Sequence, residues 1–344
     1  MSRIKFFIVF FIILFFVSIS NASTIEPLKV LFIGNSYTQM NQMPTLLKKI
    51  IDKSGNNAIV EQSTEPGASF KIHSERTEMY NKINSRKWDY IVLQGYSREL
   101  TFDNNYIDTA TVPFLNKIID SIYSNNSCTN ILLFMTWGYD KGFLSRDEIN
   151  TFDKMADRIE KGYFYLAKIY NIPVVPVGVV WKSVRKETNI DLYASDSAHP
   201  NINGSFLIAT TFYNFIYFGE LNTNENSIVN KETSYLINKK VQDVLQQKKY
   251  NLNYYSFNLK LDNSDRRKYK LFYSSTYSQN DTNIKWSFGD GKKSFDLKGV
   301  HLYKKPGNYT VRVQVDQECG TKIFDRVVSF KKKTRIKKHK ILNK

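Results

Sequence analysis

An α/β fold with a parallel sheet, followed by a small all-β sandwich, is what the 344-residue sequence predicts. Three observations carry this. Short apolar runs alternate five times with helix-period stretches between residues 29 and 218. From about Tyr254 the pattern changes to alternating strands punctuated by turn residues. A polar, asparagine-rich stretch, 221–230, lies between the two patterns.

The elements follow in order. Residues 29–33 read as a buried strand that Gly34 ends. Met43, Leu46, Leu47, Ile50 and Ile51 recur at helical spacing, with Pro44 at the start and Gly55 past the end, as helix start and stop signals require. Residues 58–62 are a weaker strand, and a helix follows between 74 and 83. Residues 90–94 are the third strand, and Phe114, Leu115, Ile118, Ile119 and Ile122 mark the next helix. Residues 131–135 are the fourth strand, before a long helix carrying Ile149, Phe152, Ala156, Ile159, Tyr163 and Leu166. Residues 174–177 read as the fifth strand, and a last helix spans about 204–218. Short apolar strands between amphipathic helices imply a parallel sheet covered on both faces, with right-handed crossovers. Val241, Val244 and Leu245 mark a helix in the connecting stretch, and strands follow at 257–261, 268–273, 284–288 and 309–315. Gly289-Asp290-Gly291 and Pro306-Gly307-Asn308 are the turn signals of an antiparallel sandwich of immunoglobulin-like type.

The ends are different in kind. Arg3 and Lys5 precede an apolar run from 6 to 17, and Ser20-Asn21-Ala22 is a small-x-small cleavage pattern. Residues 1–22 are therefore expected to be a secretory signal peptide, the alternative being an uncleaved anchor, for which the apolar core is short. The mature chain is placed outside the cytoplasm, in the periplasm, at the cell surface or secreted. The expected layout is a domain at 24–219, a linker with a helix at 220–253, a β domain at 254–330 and a basic tail at 331–344. That tail contributes to a net charge of +17. It is read as a solvated end, or as a contact for an acidic polymer or cell surface; no nucleic-acid motif accompanies it. Cys128 and Cys319 are the only cysteines. They fall in different domains, so two separate thiols are expected, with a bridge as the alternative.

Ser36 stands just after the first strand and before a helix, at the carboxyl edge of the sheet, where open α/β sheets bind ligands. Alone it is a helix cap as readily as a nucleophile. The second stretch that matters is Asp196-Ser197-Ala198-His199-Pro200, after the last strand. Acyl transfer by a serine needs a base to take its proton and a third group to orient that base. An Asp three residues before a His can supply both from one loop. Histidine is scarce, with His73, His199, His301 and His339 the four present. His73 is read as a surface loop residue, with a place lining the pocket as the alternative. Trp137, Tyr139 and Tyr193 sit near strand ends, where aromatics either stack on sugars or pack the rim. No His/Cys/Asp cluster has metal-ligand spacing, and no cofactor is called for.

The Gly34-Asn35-Ser36 block, the Asp196-x-x-His199 block and the five βα units resemble the SGNH, or GDSL-like, hydrolases over about residues 29–218. The resemblance implies a flavodoxin-like three-layer α/β/α fold and a triad of Ser36, Asp196 and His199. It also implies an oxyanion hole made by the Ser36 N–H, a glycine N–H at Gly67, and an asparagine side chain after the third strand. Two positions depart from the family. Asn35 replaces the usual aspartate. Gly95-Tyr96-Ser97 replaces Gly-x-Asn, so Ser97 or Gln94 would have to supply the third donor. Losing one donor costs roughly 3 kcal/mol of transition-state stabilisation.

Trp286-Ser287-Phe288-Gly289-Asp290-Gly291, His301-Leu302-Tyr303 and Pro306-Gly307-Asn308-Tyr309 resemble a PKD domain. His301 is then structural rather than a metal ligand. The resemblance implies a spacer or binding module of the kind attached to secreted polysaccharide-degrading enzymes. Together these features predict a secreted serine esterase that removes short acyl groups from carbohydrate, with polysaccharide or cell-surface contact through the PKD domain and tail. The alternative is a catalytically weak or inactive glycan-binding surface protein.

Overall fold

The computed structural model describes residues 26–217, 228–247, 257–262, 269–275, 283–317 and 319–331. The expected signal peptide, most of the stretch 221–230, and the tail beyond 331 lie outside the described residues.

The first part is built on the strands β1 (Leu28–Gly34), β2 (Ala58–Thr64), β3 (Tyr90–Leu93), β4 (Asn130–Phe134) and β5 (Val174–Val175). They form one parallel sheet in the order β2-β1-β3-β4-β5, which places β1 inside the sheet. Alternate residues of β1 serve two cores, because successive side chains of a strand point to opposite faces. Val30 and Phe32 pack on one face, Leu31 and Ile33 on the other.

The helices are α1 (Ser36–Gln39), α2 (Met43–Lys53), α3 (Phe70–Ser74), α4 (Thr77–Asn84), α5 (Asn104–Ala110), α6 (Val112–Asn125), α7 (Phe152–Tyr170), α8 (Val177–Glu187), α9 (Ile202–Tyr217) and α10 (Lys231–Leu245). Helices α2, α8, α9 and α10 cover the Phe32 face. Helices α4 and α6 and most of the apolar side of α7 cover the Leu31 face. The result is the three-layer arrangement expected, with the carboxyl ends of the strands on one edge.

Several elements differ from expectation. The apolar run 174–177 is not all strand. Only Val174 and Val175 pair with β4, and Pro176 then turns the chain so that Val177, Val180, Trp181 and Val184 form the buried stripe of α8. The helix expected between 74 and 83 is α4, and a short helix not expected from the sequence, α3, precedes it. Helix α10 is no free connector, since Ile237, Val241 and Val244 are buried in the first core. Its docking on α9 hides an apolar stripe that a linker would expose. No helix among the described residues is long and apolar enough to cross a membrane.

The second part contains β6 (Phe257–Asp262), β7 (Tyr269–Ser275), β8 (Asn283–Ser287), β9 (Lys293–Ser294), β10 (Lys298–Tyr303), β11 (Gly307–Gln317) and β12 (Gly320–Phe330). They make a three-stranded sheet, β10-β7-β6, and a four-stranded sheet, β12-β11-β8-β9, with the described pairings antiparallel. Trp286, Phe288, Tyr303, Val313 and Val315 fill the space between. His301 is structural: Nε2 lies 2.9 Å from an Asp290 carboxylate oxygen, and the ring stacks on Phe288 at 4.0 Å.

Cys128 and Cys319 are joined in a disulfide, with their Cα atoms 5.4 Å apart. This overturns the expectation of two separate thiols. The sequence shows only that the two lie 191 residues apart. Folding brings the loop before β4 against the turn between β11 and β12.

Candidate active site

Ser36 is the first residue of α1, and Asn35 makes its position. The Asn35 Oδ1 accepts the Tyr37 N–H at 3.1 Å and caps the helix. Its Nδ2 donates to the carbonyls of Ala68 and Gly95, each at 3.2 Å. One buried amide thus ties together the loops after β1, β2 and β3. An aspartate would accept like Asn35 but has no donor when ionised, so the two donated bonds require the amide.

Gln94 completes the brace and has no exposed surface from which to present its amide to a substrate. It is fully buried. Its Oε1 accepts from the Asn35 N–H at 3.1 Å and the Thr38 hydroxyl at 2.8 Å, and its Nε2 donates to the Gly95 carbonyl at 2.6 Å. The amide oxygen holds the turn that carries Ser36, and the amide nitrogen holds the Gly95 carbonyl. This close approach requires Gly34, because a Cβ there would stand 2.6 Å from the Gln94 Oε1 and 2.5 Å from the Thr38 hydroxyl.

Opposite Ser36, the loop 193–200 presents the acid and the base. The His199 Nε2 lies 2.8 Å from the Ser36 Oγ. The His199 Nδ1 is bonded to Asp196 Oδ2. The Asp196 Oδ1 accepts the N–H groups of Ala198 at 3.0 Å and His199 at 2.9 Å. Burial pushes the Asp196 carboxyl up, but these two N–H groups and the imidazole together hold it below its usual range. The three residues expected to form a triad therefore come together in the order Ser36–His199–Asp196.

Of the aromatics read as either sugar platforms or rim packing, Trp137 and Tyr193 are packed. Trp137 is fully buried, stacked between Tyr37 at 4.5 Å and Trp181 at 4.0 Å. Its indole N–H donates to the Ala198 carbonyl at 3.1 Å. The Tyr193 hydroxyl donates to the Gly138 carbonyl at 2.7 Å, and the Asp140 N–H to the Ser197 carbonyl at 2.9 Å. The loop after β4 thus pins the loop that carries Asp196 and His199. Tyr37 meets the His199 ring edge-on at 5.3 Å.

The other groups expected as oxyanion donors are the N–H groups of Ser36 and Gly67 and the Ser97 hydroxyl. Gly67 is exposed, with a left-handed φ of 71°, in the turn closed by the Ala68 N–H on the Glu65 carbonyl at 3.1 Å. Among the described residues no acceptor takes the N–H of Ser36 or Gly67. The Ser97 hydroxyl is paired with the Tyr139 hydroxyl at 2.8 Å. Two hydroxyls that share one hydrogen bond keep one O–H to offer.

Glu99 was not signalled by the sequence, and His73 was misplaced by it. Glu99 is buried and accepts the N–H groups of Phe70, at 3.2 Å, and Tyr96, at 2.9 Å, so it clamps the second loop to the third. Burial pushes its carboxyl up to about 7, against the pull of those two N–H groups and the Thr111 hydroxyl. His73 is not on the surface: it is fully buried on α3, and burial, with Arg76 nearby, depresses its imidazole to about 4. Neither was signalled by a motif. Among the described residues no group of three or more His, Cys, Asp or Glu is placed to hold a metal ion.

Comparison with known proteins divides the chain the same way. The PKD domain family matches residues 260–328. The second part is a PKD domain. The first part shares its fold with a DUF4886 family protein from Bacteroides uniformis, at TM-score 0.53 and 16% identity, over 64% of this chain and 95% of that one. A candidate SGNH hydrolase from Slackia heliotrinireducens aligns at TM-score 0.46 and 21% identity, over 56% of this chain and 100% of that one. Axe2, an acetylxylan esterase from Geobacillus stearothermophilus, aligns at TM-score 0.37 and 16% identity, over 54% and 91%. At such identities the likeness is of fold alone. No curated protein matches the chain. The amino-terminal part is thus a five-stranded parallel sheet covered by helices, and the PKD domain follows it.

Proposed function

We propose that this protein is a secreted serine esterase that removes short acyl groups, such as acetyl, from carbohydrate. The observation that carries the reading is the His199 imidazole, bonded on one side to the Ser36 Oγ at 2.8 Å and on the other to Asp196. In this reading the Ser36 Oγ attacks the ester carbonyl while its proton passes to the His199 Nε2. Asp196 holds the ring in the tautomer that can accept there. The N–H groups of Ser36 and Gly67 receive the oxyanion, with the Ser97–Tyr139 hydroxyl pair in the place of the missing asparagine. The C–O bond to the sugar then breaks, and the leaving alkoxide takes the proton from His199. Water, deprotonated by the same nitrogen, releases the acid and restores Ser36.

Secretion is supported by the charged, apolar and small-residue pattern of 1–22 and by the Cys128–Cys319 bridge, a bond typical of oxidising compartments. Carbohydrate as substrate is supported by the PKD domain, an association rather than a mechanism. Hydrolysis of p-nitrophenyl acetate by the mature protein tests the reading. Ser36→Ala and His199→Ala are each expected to lower kcat by about 1,000-fold or more. Turnover that survives Ser36→Ala rejects the nucleophile. The replacement of the third-loop asparagine by Ser97 favours a second reading, a glycan-binding protein with little catalysis. Tight glycan binding by a wild type that turns over neither this ester nor acetylated glycans would select it.

A further inference from the structure

A cavity of about 780 Å³ opens beside the oxyanion loops, lined by residues of the segments that follow β2, β3 and β4. Its lining adjoins residues of the site along the chain. Ser69 follows Ala68, whose carbonyl Asn35 holds, and Tyr96 and Arg98 flank Ser97. The charged lining groups are Lys71, Arg98, Arg146 and Glu99. Glu99 points its oxygens at the N–H groups of Phe70 and Tyr96, so it belongs to the loop clamp rather than to the cavity's chemistry.

The two arginines are held in place by aromatic rings. The Arg98 guanidinium lies 3.7 Å from the centre of the Phe143 ring and 5.3 Å from that of Tyr96, and donates to the Tyr96 hydroxyl at 2.6 Å. The Arg146 guanidinium lies 4.2 Å over Phe102 and donates to the Thr101 carbonyl at 3.0 Å, with the Glu148 carboxylate 3.8 Å from its Nε. Among the described residues no carboxylate lies within ion-pair distance of Arg98 or Lys71. A guanidinium has five donors in a fixed fork suited to an oxyanion. Arg98 spends one of them on Tyr96 and is stacked rather than neutralised.

We infer that this cavity is a subsite for a sugar bearing an anionic group, so that the esterase acts on an acidic glycan and Arg98, with Arg146 and Lys71, selects it. The inference rests on the esterase reading for its catalytic meaning, though the binding it predicts is separate. A carboxylate on a uronic acid and a sulfate ester share the required chemistry. A neutral sugar would leave the cationic fork without a partner.

The test uses full-length protein carrying Ser36→Ala and titrates it with three oligosaccharides of equal length: an oligogalacturonate, a sulfated oligosaccharide and a xylo-oligosaccharide. An anionic ligand is expected to bind at least about 10-fold more tightly than the neutral one, with an advantage that shrinks as salt rises. The better of the two anions identifies the group. Arg98→Gln is expected to remove most of that advantage and Arg98→Lys to restore part of it, which a purely structural Arg98 would not do. In the active protein, Arg98→Gln is expected to lower the ratio of kcat/KM for acetylated oligogalacturonate over acetylated xylo-oligosaccharide by about 30-fold, mainly through KM. Equal binding of anionic and neutral ligands overturns the subsite, as does an anionic preference unchanged in an Arg98→Gln, Arg146→Gln variant. Activity that persists in the Ser36→Ala protein overturns the nucleophile instead, and the titration still decides the subsite.

Discussion

At the scale of single residues, Asn35 shows how a departure from a family pattern can be read physically. Its side chain accepts from Tyr37 and donates to two carbonyls, so one amide fixes three loops. A carboxylate there would face the Ala68 and Gly95 carbonyl oxygens with no hydrogen to give. Asn35→Asp is therefore expected to cost about 3 kcal/mol of stability and to lower esterase turnover about 10-fold. Denaturant unfolding and p-nitrophenyl acetate kinetics check it; unchanged stability would show that the two donated bonds carry nothing. Gln94 teaches the converse. Its donor looked available in sequence, yet the side chain is fully buried, its oxygen bonded to the turn around Ser36 and its nitrogen to the Gly95 carbonyl. Trp137 likewise has its faces covered by Tyr37 and Trp181, and its one polar atom supports the Ala198 carbonyl. Trp137→Phe keeps the stack and removes that bond. Turnover is expected to fall about 5-fold with KM little changed, because His199 is held less firmly; an unchanged kcat would mean that the remaining bonds hold the loop.

At the scale of elements, α3 and the segment after β3 form a buried unit beneath the second and third loops, and it carries two groups with opposite responses to pH. Glu99 is raised to about 7 from the usual 4.5. The folded protein binds its proton more tightly than the unfolded chain, so its contribution to stability is present below about 4.5 and is lost as pH rises through about 7. His73 is depressed to about 4 from 6.5, so its contribution is present above 6.5 and is lost as pH falls towards 4. The two slopes oppose each other between about 4.5 and 6.5. Glu99→Gln is expected to leave a protein whose stability falls on acidification across that window, and His73→Phe one whose stability falls on alkalinisation. Denaturant midpoints at several pH values read both. Slopes that are the same in the two variants would contradict the burial of one of the groups.

At the scale of the whole molecule, the α/β part and the PKD domain are joined by a covalent link. Cys128 lies just before β4, at the amino edge of the sheet, whereas Ser36 follows the carboxyl end of β1. The PKD domain is therefore anchored at the edge opposite the triad. In the loop-entropy account, a bridge closing so long a segment stabilises by restricting the unfolded chain. Thiol titration of native protein is expected to find no free thiol, and to find both after reduction. Replacing Cys128 and Cys319 by alanine is expected to lower stability by about 2–4 kcal/mol. Two titratable thiols in unreduced protein would contradict the bridge.

Much of the architecture could be read along the chain because it depends on local period. Apolar runs such as 30–33 and the spacing of Met43, Leu46, Leu47 and Ile50 report which side of each element faces the core. Ser36, Asp196 and His199 could be picked out because a nucleophile at a strand end and an acid three residues before a base are patterns that the chemistry itself demands. What escaped was decided by partners distant in sequence. The apolar letters of 174–177 suit a strand or a helix equally, and only pairing with β4 limits the strand to Val174 and Val175. Helix α10 looks like a connector until α9 offers it a face. Glu99, His73 and the Cys128–Cys319 bridge carry no local signature, since burial and the approach of a second loop exist only once the chain has closed around them.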